Sequence, residues 1–595
     1  IIQTRSGTGA VEDQNAQTLN TIRYTTSYEP RVWTGAIVAR RYDSKTGKFS
    51  IPVWDTKERI KPGQGKLYTA ETQNGNVITK ELTEESTKIV QEEVRVGTKR
   101  QWVNGRLVQV PDIRYVNKEV RVPGYYGSLG ENYVYWLKGY DDSELRDRQG
   151  NTLGAIINSD IYHFSSDMPN VNINETVVGK AHRDNIIKYV KKRRDTMGIN
   201  YLITGSNDGL INFIVAEKTD SSKRSELPGT RIFSYFPSFF KDDLADITSV
   251  PYSHQYKVDG TTHFFDALVD DHYRTIGITS MGSGARALVG YQVFESDSEF
   301  KKTSDDFKIN FEITNKTAGF ENLGYTYSEV DYVNQAKDDK HSRAVAVFGN
   351  GFGAPSKVSS IYMIDAVTGQ KIEEIVLSNN GLGAASPSLL VSKDPVTKMQ
   401  RLESIYVGDY SGNMYKIVFD YTSSDKEGSY NFKRYSKQTI FQSGGSTRPI
   451  TTRPVVMKNK KDNDQVWVYF GTGSAKTAND ISKTALNAQH YFYGIKDINE
   501  TVKDEQLVDQ KVEKTFGTGK ERQLLTTKAV DGTTTPYGWK LKLTHRSDEN
   551  NERVIRPAVL VGNKYITFAT WSIVRGGGND PCLSDNLVGS EFTLD

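Results

Sequence analysis

Three histidines at nine-residue intervals, His254, His263 and His272, bracket Asp266, Asp270 and Asp271 in the stretch YSHQYKVDGTTHFFDALVDDHY. Imidazoles beside carboxylates are the donor set of a zinc site. Nine residues is not a spacing that one helix or one strand face enforces for shared ligands. The residues therefore read as separate structural groups: His254 partly buried and bonded to a loop carbonyl, His272 a solvated turn residue.

Glycine clusters raise the question of phosphate binding. YLITGSNDGLINF (Tyr201 to Phe213) sets two apolar runs around Gly205 and Gly209, and IYVGDYSGNMYKI repeats the design with Gly408 and Gly412. A phosphate loop needs glycine-rich backbone feeding a helix N-terminus. Here LINFIVAE follows and reads as strand, so the turn is a hairpin corner. GTGSAKT ends in Lys476 and Thr477, but Phe470 and Ala475 stand where a nucleotide loop requires glycine. In FGTGKE, Gly519 and Lys520 are preceded by Lys514 at the first glycine position and followed by Glu521 in place of the hydroxyl. GSGARA at Gly282 is likewise a turn. No Ser-His-Asp, Cys-His or paired-carboxylate constellation stands out. The basic run KYVKKRRD (Lys188 to Asp195) reads as a solvated face, because a formal net charge of +3 gives no broad claim on nucleic acid or anionic membrane.

These residues need a frame. The chain has 595 residues, enough for a large core, with 33 Tyr, 50 Gly and one Cys. Tyr and Gly enrichment favours short strands and tight turns. The single thiol, Cys582, excludes an intramolecular disulfide and a cysteine-rich zinc site. No apolar run approaches the roughly 20 residues that cross a bilayer as a helix. The start IIQTRSG, without initiator Met or signal pattern, reads as part of a longer protein.

Repetition decides the architecture. VAVFGNGFG, WVYFGTGSA and IGITSMGSG are β-rich runs ending in glycine turns, each followed by a second strand. Asp43 and Asp365 both open Asp-x-x-Thr-Gly turns. ASPSLLV at Ala385, TRPVVMK at Thr452 and IRPAVLV at Ile555 place proline where a strand begins. The pattern predicts an all-β, irregular, quinoprotein-like β-propeller of seven blades, opening near residues 30, 155, 262, 326, 386, 452 and 554. Helical periodicity is scarce, and His182 to Asp195 is its best candidate. Residues 1–25 read as a flexible leader and 26–595 as the propeller. Residues 60–135 read as a β-rich insertion exposed on both faces.

Taken in order, these phrases resemble the PilY/PilC family of type IV pilus tip-associated adhesins. VGDYSGNMYKIVFD and YLITGSNDGLINF look like the family's blade strands. LGAIINSD, FSYFPSFF, YSHQYKVDGT, LGYTYSEV, AVAVFGNGFG, RPITTRPVV with VYFGTG, and the terminal DPC follow in the family's order. The resemblance covers residues 30 to 595 outside the insertion, that is, the family's C-terminal propeller. It implies a non-enzymatic factor secreted to the Gram-negative outer membrane and pilus tip. Such a factor supports pilus extension against retraction, twitching motility and adherence to host cells. The partners implied are minor pilins at the tip and a host-surface receptor, protein or glycan, with no nucleic acid.

Calcium is the family's known ligand, held before the Y-x-G-D strand by an aspartate-rich loop. This chain has VSKDPVTKMQRLESIYVGD there, offering Asp394 and Glu403 against Lys393, Lys398 and Arg401. The family spacing is not retained, and the resemblance carries no metal site onto these residues. The resemblance leaves calcium open elsewhere in the chain, where DDSELRD (Asp141 to Asp147) is the densest acidic alternative, and the Arg-Gly-Asp tripeptide of some relatives is absent. The expected binding patch is aromatic: Trp102 with Tyr125, Tyr126, Tyr133, Tyr135, Trp136 and Tyr140. Two rival readings are a pyrroloquinoline-quinone dehydrogenase propeller and a glycan-binding propeller. Against the first, Ile375 ends the second Asp-x-x-Thr-Gly copy without the tryptophan of those enzymes, and one Cys cannot form their vicinal pair.

Overall fold

The structure, a computed structural model, describes residues 22–219, 224–296, 307–338, 340–422, 431–460, 462–475, 483–510, 535–543, 552–562 and 564–574. It also describes residue 480 and the strands Ile2–Gln3, Thr8–Ala10, Val512–Phe516, Gln523–Thr526 and Asp585–Leu594. Lys476, Thr477, Gly519, Lys520, Glu521, Cys582 and most of the expected leader lie outside the described residues.

Alternating apolar positions make strands, and short glycine turns return each strand beside its predecessor. Thr262–Val269, His272–Ser280, Ala287–Glu295 and Lys308–Thr314 form one such antiparallel meander. Two further meanders, from Asp331 to Ser378 and from Ala384 to Gln442, join through one parallel pair, Gln335 with Gln400. Other sheets contain the strands that start at Ile22, Tyr162, Val455 and Val559. These strand starts fall close to the openings read from the sequence, although earlier segments of the chain also join three of the sheets. Ile2–Gln3 pairs in parallel with Asp585–Asn586, bringing the two ends of the chain into one sheet.

Successive sheets pack face to face. Ile276, Ile278 and Leu288 of one meander share an apolar layer with Ala344, Ala346 and Phe348 of the next. Four-stranded meanders stacked in this way are the architecture of a β-propeller.

Four expectations need correction. Residues 22–25 are not leader: Ile22–Glu29 is a strand, and Thr8–Ala10 pairs with it. The insertion is not one excursion. Lys66–Gln73 runs parallel to Arg231–Phe236 and extends that sheet together with Asn76–Leu82. What stands apart is the ribbon of Ser86–Val103 and Arg106–Val122, whose strands pair only with each other among the described residues.

The helix is Lys180–Met197, longer than expected, and it ends at Gly198 with φ of 70°. Its basic run is not wholly solvated. Tyr189 and Arg193 are buried, and Arg193 Nη1 donates to Asp266 at 2.6 Å and to Thr275 Oγ1 at 2.9 Å. A buried guanidinium needs such partners, because its desolvation is otherwise uncompensated.

Candidate functional site

The proline-opened strands converge on one place. Ser386, Arg453 and Arg556, from the three repeats of that signature, line a cavity of about 130 Å³. Segments that precede other sheets complete the wall through Asp160, Asp259 and Tyr327. Convergence of blade openings on a common centre is what a ring of sheets produces. The sequence held the signal in its repeated proline openings, but read alone these mark only strand starts.

The charges in this cavity are engaged with each other. Arg453 meets Glu329 at 3.1 Å, and Arg556 meets Asp160 at 3.1 Å. Asp259 accepts from the Asn158 amide at 2.9 Å, Asn158 Nδ2 at 2.7 Å and Ser283 Oγ at 2.9 Å. Burial still pushes its carboxyl up to about 6, against those hydrogen bonds. The two ion pairs each join segments that precede non-neighbouring meanders, and Asn158 with Asp259 joins two that precede neighbouring ones, so their chemistry is cross-linking of the ring.

The predicted aromatic patch divides in three. Trp136 is 1% exposed, donates Nε1–H to the Arg146 carbonyl at 2.9 Å and is covered by the Arg148 guanidinium at 4.0 Å. Its burial in the short helix Glu131–Leu137 removes it from the surface. Trp102 lies near the far end of the ribbon, roughly 50 Å from the tyrosines at about 3.3 Å per residue.

The tyrosines remain together at the ribbon base. The Tyr126 ring centroid is 6.2 Å from that of Tyr135, which is 5.4 Å from that of Tyr140. Tyr125 is exposed and donates to Glu71 at 2.6 Å, while Tyr133 is half-buried against the core. Of these tyrosines Tyr125 is exposed, while Tyr126, Tyr133, Tyr135 and Tyr140 are half-buried.

The loop at the family's calcium position is built differently. Asp394 is buried, and its Oδ1 accepts from the amides of Val396 at 3.0 Å and Thr397 at 2.7 Å and from Thr397 Oγ1 at 3.0 Å. Asp365 makes the same turn, closed there by Gly369 and here by Lys398 with φ of 61°. Glu403 is held by Arg401 at 2.7 Å. Two carboxylates already engaged, with lysines beside them, do not fit a hard cation that needs six or more oxygens. The acidic run at Asp141 is a set of turns, in which Asp142 accepts from the Glu144 amide and Asp147 from the Gln149 amide. Among the described residues no three His, Cys, Asp or Glu side chains gather as a metal site.

The histidines stay apart as well. His263 and His272 sit at opposite ends of one hairpin, since Val269 pairs with His272 and Ile278 with His263. His254 differs from its expected role: it stacks on Trp33 with centroids 3.8 Å apart and faces the Tyr252 hydroxyl at 3.3 Å, not a loop carbonyl. Burial, then the charge of Arg146, lowers its imidazole to about 4. His272 is half-buried beside Glu295 at 3.5 Å, not a solvated turn residue. Gly205 to Gly209 closes the hairpin between Ile199–Ser206 and Leu210–Lys218, as expected.

Residues 153–533, more than half of the chain, match the family model described as the PilY1 beta-propeller domain. The chain belongs to the PilY1 β-propeller family. It is 23% identical over 605 residues to a type IV pilus biogenesis factor PilY1 homolog of Xylella fastidiosa, covering 93% of this chain and 38% of that protein. It is 24% identical over 409 residues to the type IV pilus biogenesis factor PilY1 of Pseudomonas aeruginosa (strain UCBPP-PA14), covering 60% of this chain and 33% of that one. The chain thus spans about a third to two-fifths of these relatives' length. In fold it is similar to the crystal structure of the Pseudomonas aeruginosa PilY1 C-terminal domain, with a TM-score of 0.50 and 18% identity over 68% of this chain and 80% of that one. The family match ends upstream at residue 153, so the ribbon and the tyrosine group lie outside it.

Proposed function

We propose that this chain is the propeller portion of a non-enzymatic type IV pilus biogenesis factor that works by contact. The observation that carries the reading is family membership, joined to relatives that are named as pilus biogenesis factors. In this reading the factor is displayed at the Gram-negative cell surface, on the outer membrane and pilus tip. It supports extension against retraction through minor pilins, promotes twitching motility and contributes to adherence to a host receptor, protein or glycan. The charge pairs that tie sheet to sheet at the cavity suit a rigid frame under load, and the tyrosine group at the ribbon base supplies contact area at low entropic cost.

The test is Tyr125→Ala with Tyr135→Ala in the full-length protein, scoring piliation, twitching and host adherence separately. Adherence should fall several-fold while piliation stays normal. Normal adherence would remove the tyrosine group from the reading. Normal piliation and twitching in a strain lacking the whole gene would overturn the pilus role itself.

A further inference from the structure

The ribbon is polarised along its length. Near its base acids and bases balance: Lys118 meets Glu92 at 3.0 Å, and Arg121 pairs with Glu85. From Val94 to Pro111 the chain carries Arg95, Lys99, Arg100 and Arg106 and no carboxylate. Of these four, Lys99 alone has an ion-pair partner among the described residues, Asp112 at 3.6 Å.

The same end holds apolar side chains in water. Trp102 is 69% exposed, Val96 50% and Leu107 49%. The Asn104–Gly105 turn, both residues at positive φ, closes the tip and sets the register. Trp102 lies opposite Leu107, and Val103 opposite Arg106. Residues paired across the ribbon share a face, and successive pairs alternate. One face of the tip therefore carries Trp102, Leu107 and Arg100, and the other Val103, Val108, Lys99 and Arg106.

An acidic polymer would lie along one face and use the cations, leaving the exposed apolar groups in water. A headgroup layer surrounds an inserted tip on both faces, takes Trp and aliphatic side chains at its boundary, and offers phosphates to the cations. We propose that the end of the 94–111 segment, residues 99–108, docks end-on into an anionic phospholipid surface. Trp102 and Leu107 enter the interface while Lys99, Arg100 and Arg106 hold lipid phosphates, and Arg95, roughly 23 Å further back at about 3.3 Å per residue, stays outside the headgroup layer. The 18-residue strand Ser86–Val103 gives a reach of roughly 60 Å at about 3.3 Å per residue, which keeps the sheets clear of the membrane. This goes beyond the pilus reading and does not rest on it.

The experiment is co-sedimentation of the purified chain with phosphatidylcholine vesicles, with and without phosphatidylglycerol. Binding is expected to the mixed vesicles and to fall with salt. Lys99→Gln, Arg100→Gln and Arg106→Gln together should weaken it at least about tenfold. Trp102→Ala with Leu107→Ala should also weaken it several-fold. Brominated phosphatidylglycerol should quench a fraction of the tryptophan emission that is missing in Trp102→Phe, a readout that a loss of ribbon structure in the other variants cannot imitate. No vesicle binding by the parent chain would overturn the proposal, as would binding that the tip variants leave unchanged. Capture on heparin without vesicle binding would assign the tip to an acidic polymer and overturn it equally.

Discussion

The hairpin Ile199–Ser206/Leu210–Lys218 and the ribbon Ser86–Val103/Arg106–Val122 are both antiparallel pairs closed by a tight turn containing glycine. Nearly every residue of the first is buried and nearly every residue of the second is exposed. Their sequences differ accordingly. INYLITGS and LINFIVAEK are apolar with little alternation, because neighbouring sheets cover both faces. The ribbon alternates Val and Ile with Lys, Arg and Glu, so neither of its faces is apolar enough to join a core. Identical backbone pairing therefore serves as frame in one region and as reach in the other.

The contrast breaks most sharply at Arg193, which ties the helix Lys180–Met197 to the sheet through Asp266. Arg193→Met leaves a buried carboxylate without its cation and should cost about 3–5 kcal/mol in denaturant unfolding. A loss below about 1 kcal/mol would mean that the pair is dispensable packing.

Glycines sharpen the same contrast. A Cβ on Gly205 would meet the Val258 carbonyl oxygen at 2.3 Å, whereas Gly105 at the ribbon tip has nothing within 4 Å. Gly205→Ala should cost about 1–3 kcal/mol through overpacking. Gly105→Ala, which strains only its positive φ, should cost at most about 1–2 kcal/mol and leave the sheets' cooperative transition intact. Equal effects on that transition would show that the ribbon and the sheets unfold as one unit.

The smallest effect expected is on pH dependence, and it belongs to the buried region alone. His254 is lowered from 6.5 to about 4, so the stability it contributes is full above pH 6.5 and lost as pH falls through 4. Asp259 is raised from 3.8 to about 6, so its contribution is full below pH 3.8 and lost as pH rises through 6. The two oppose each other between these limits. Thermal midpoints measured across that window should show a shallower acid limb for His254→Phe and a steeper one for Asp259→Asn. Parallel limbs for both variants and the parent chain would contradict these assignments.

Much of the frame was legible in the sequence because turn chemistry is local. Asp with Thr and Gly, or Gly with Asn and Asp, specifies a corner whatever surrounds it, and strands begin near the openings read from such corners. The same local logic extends to Asp394, whose Thr397 and Lys398 complete a corner that the missing glycine had concealed. Burial was not legible in this way. Trp136 and Trp102 read alike in sequence, yet one is enclosed by Arg146 and Arg148 and the other stands near the end of a free ribbon. Arg193 belonged to a run that charge counting assigned to solvent.

By itself the sequence determined strand period, corners, the family likeness and the charge imbalance of the ribbon tip, since each is written in neighbouring residues. The tertiary structure alone decided which arginines became internal ties, and which part of the insertion joined a sheet. It also brought three proline-opened strands to one cavity. Those outcomes depend on partners tens to hundreds of residues away, and on whether a side chain's desolvation is met by an acceptor that no local pattern can name.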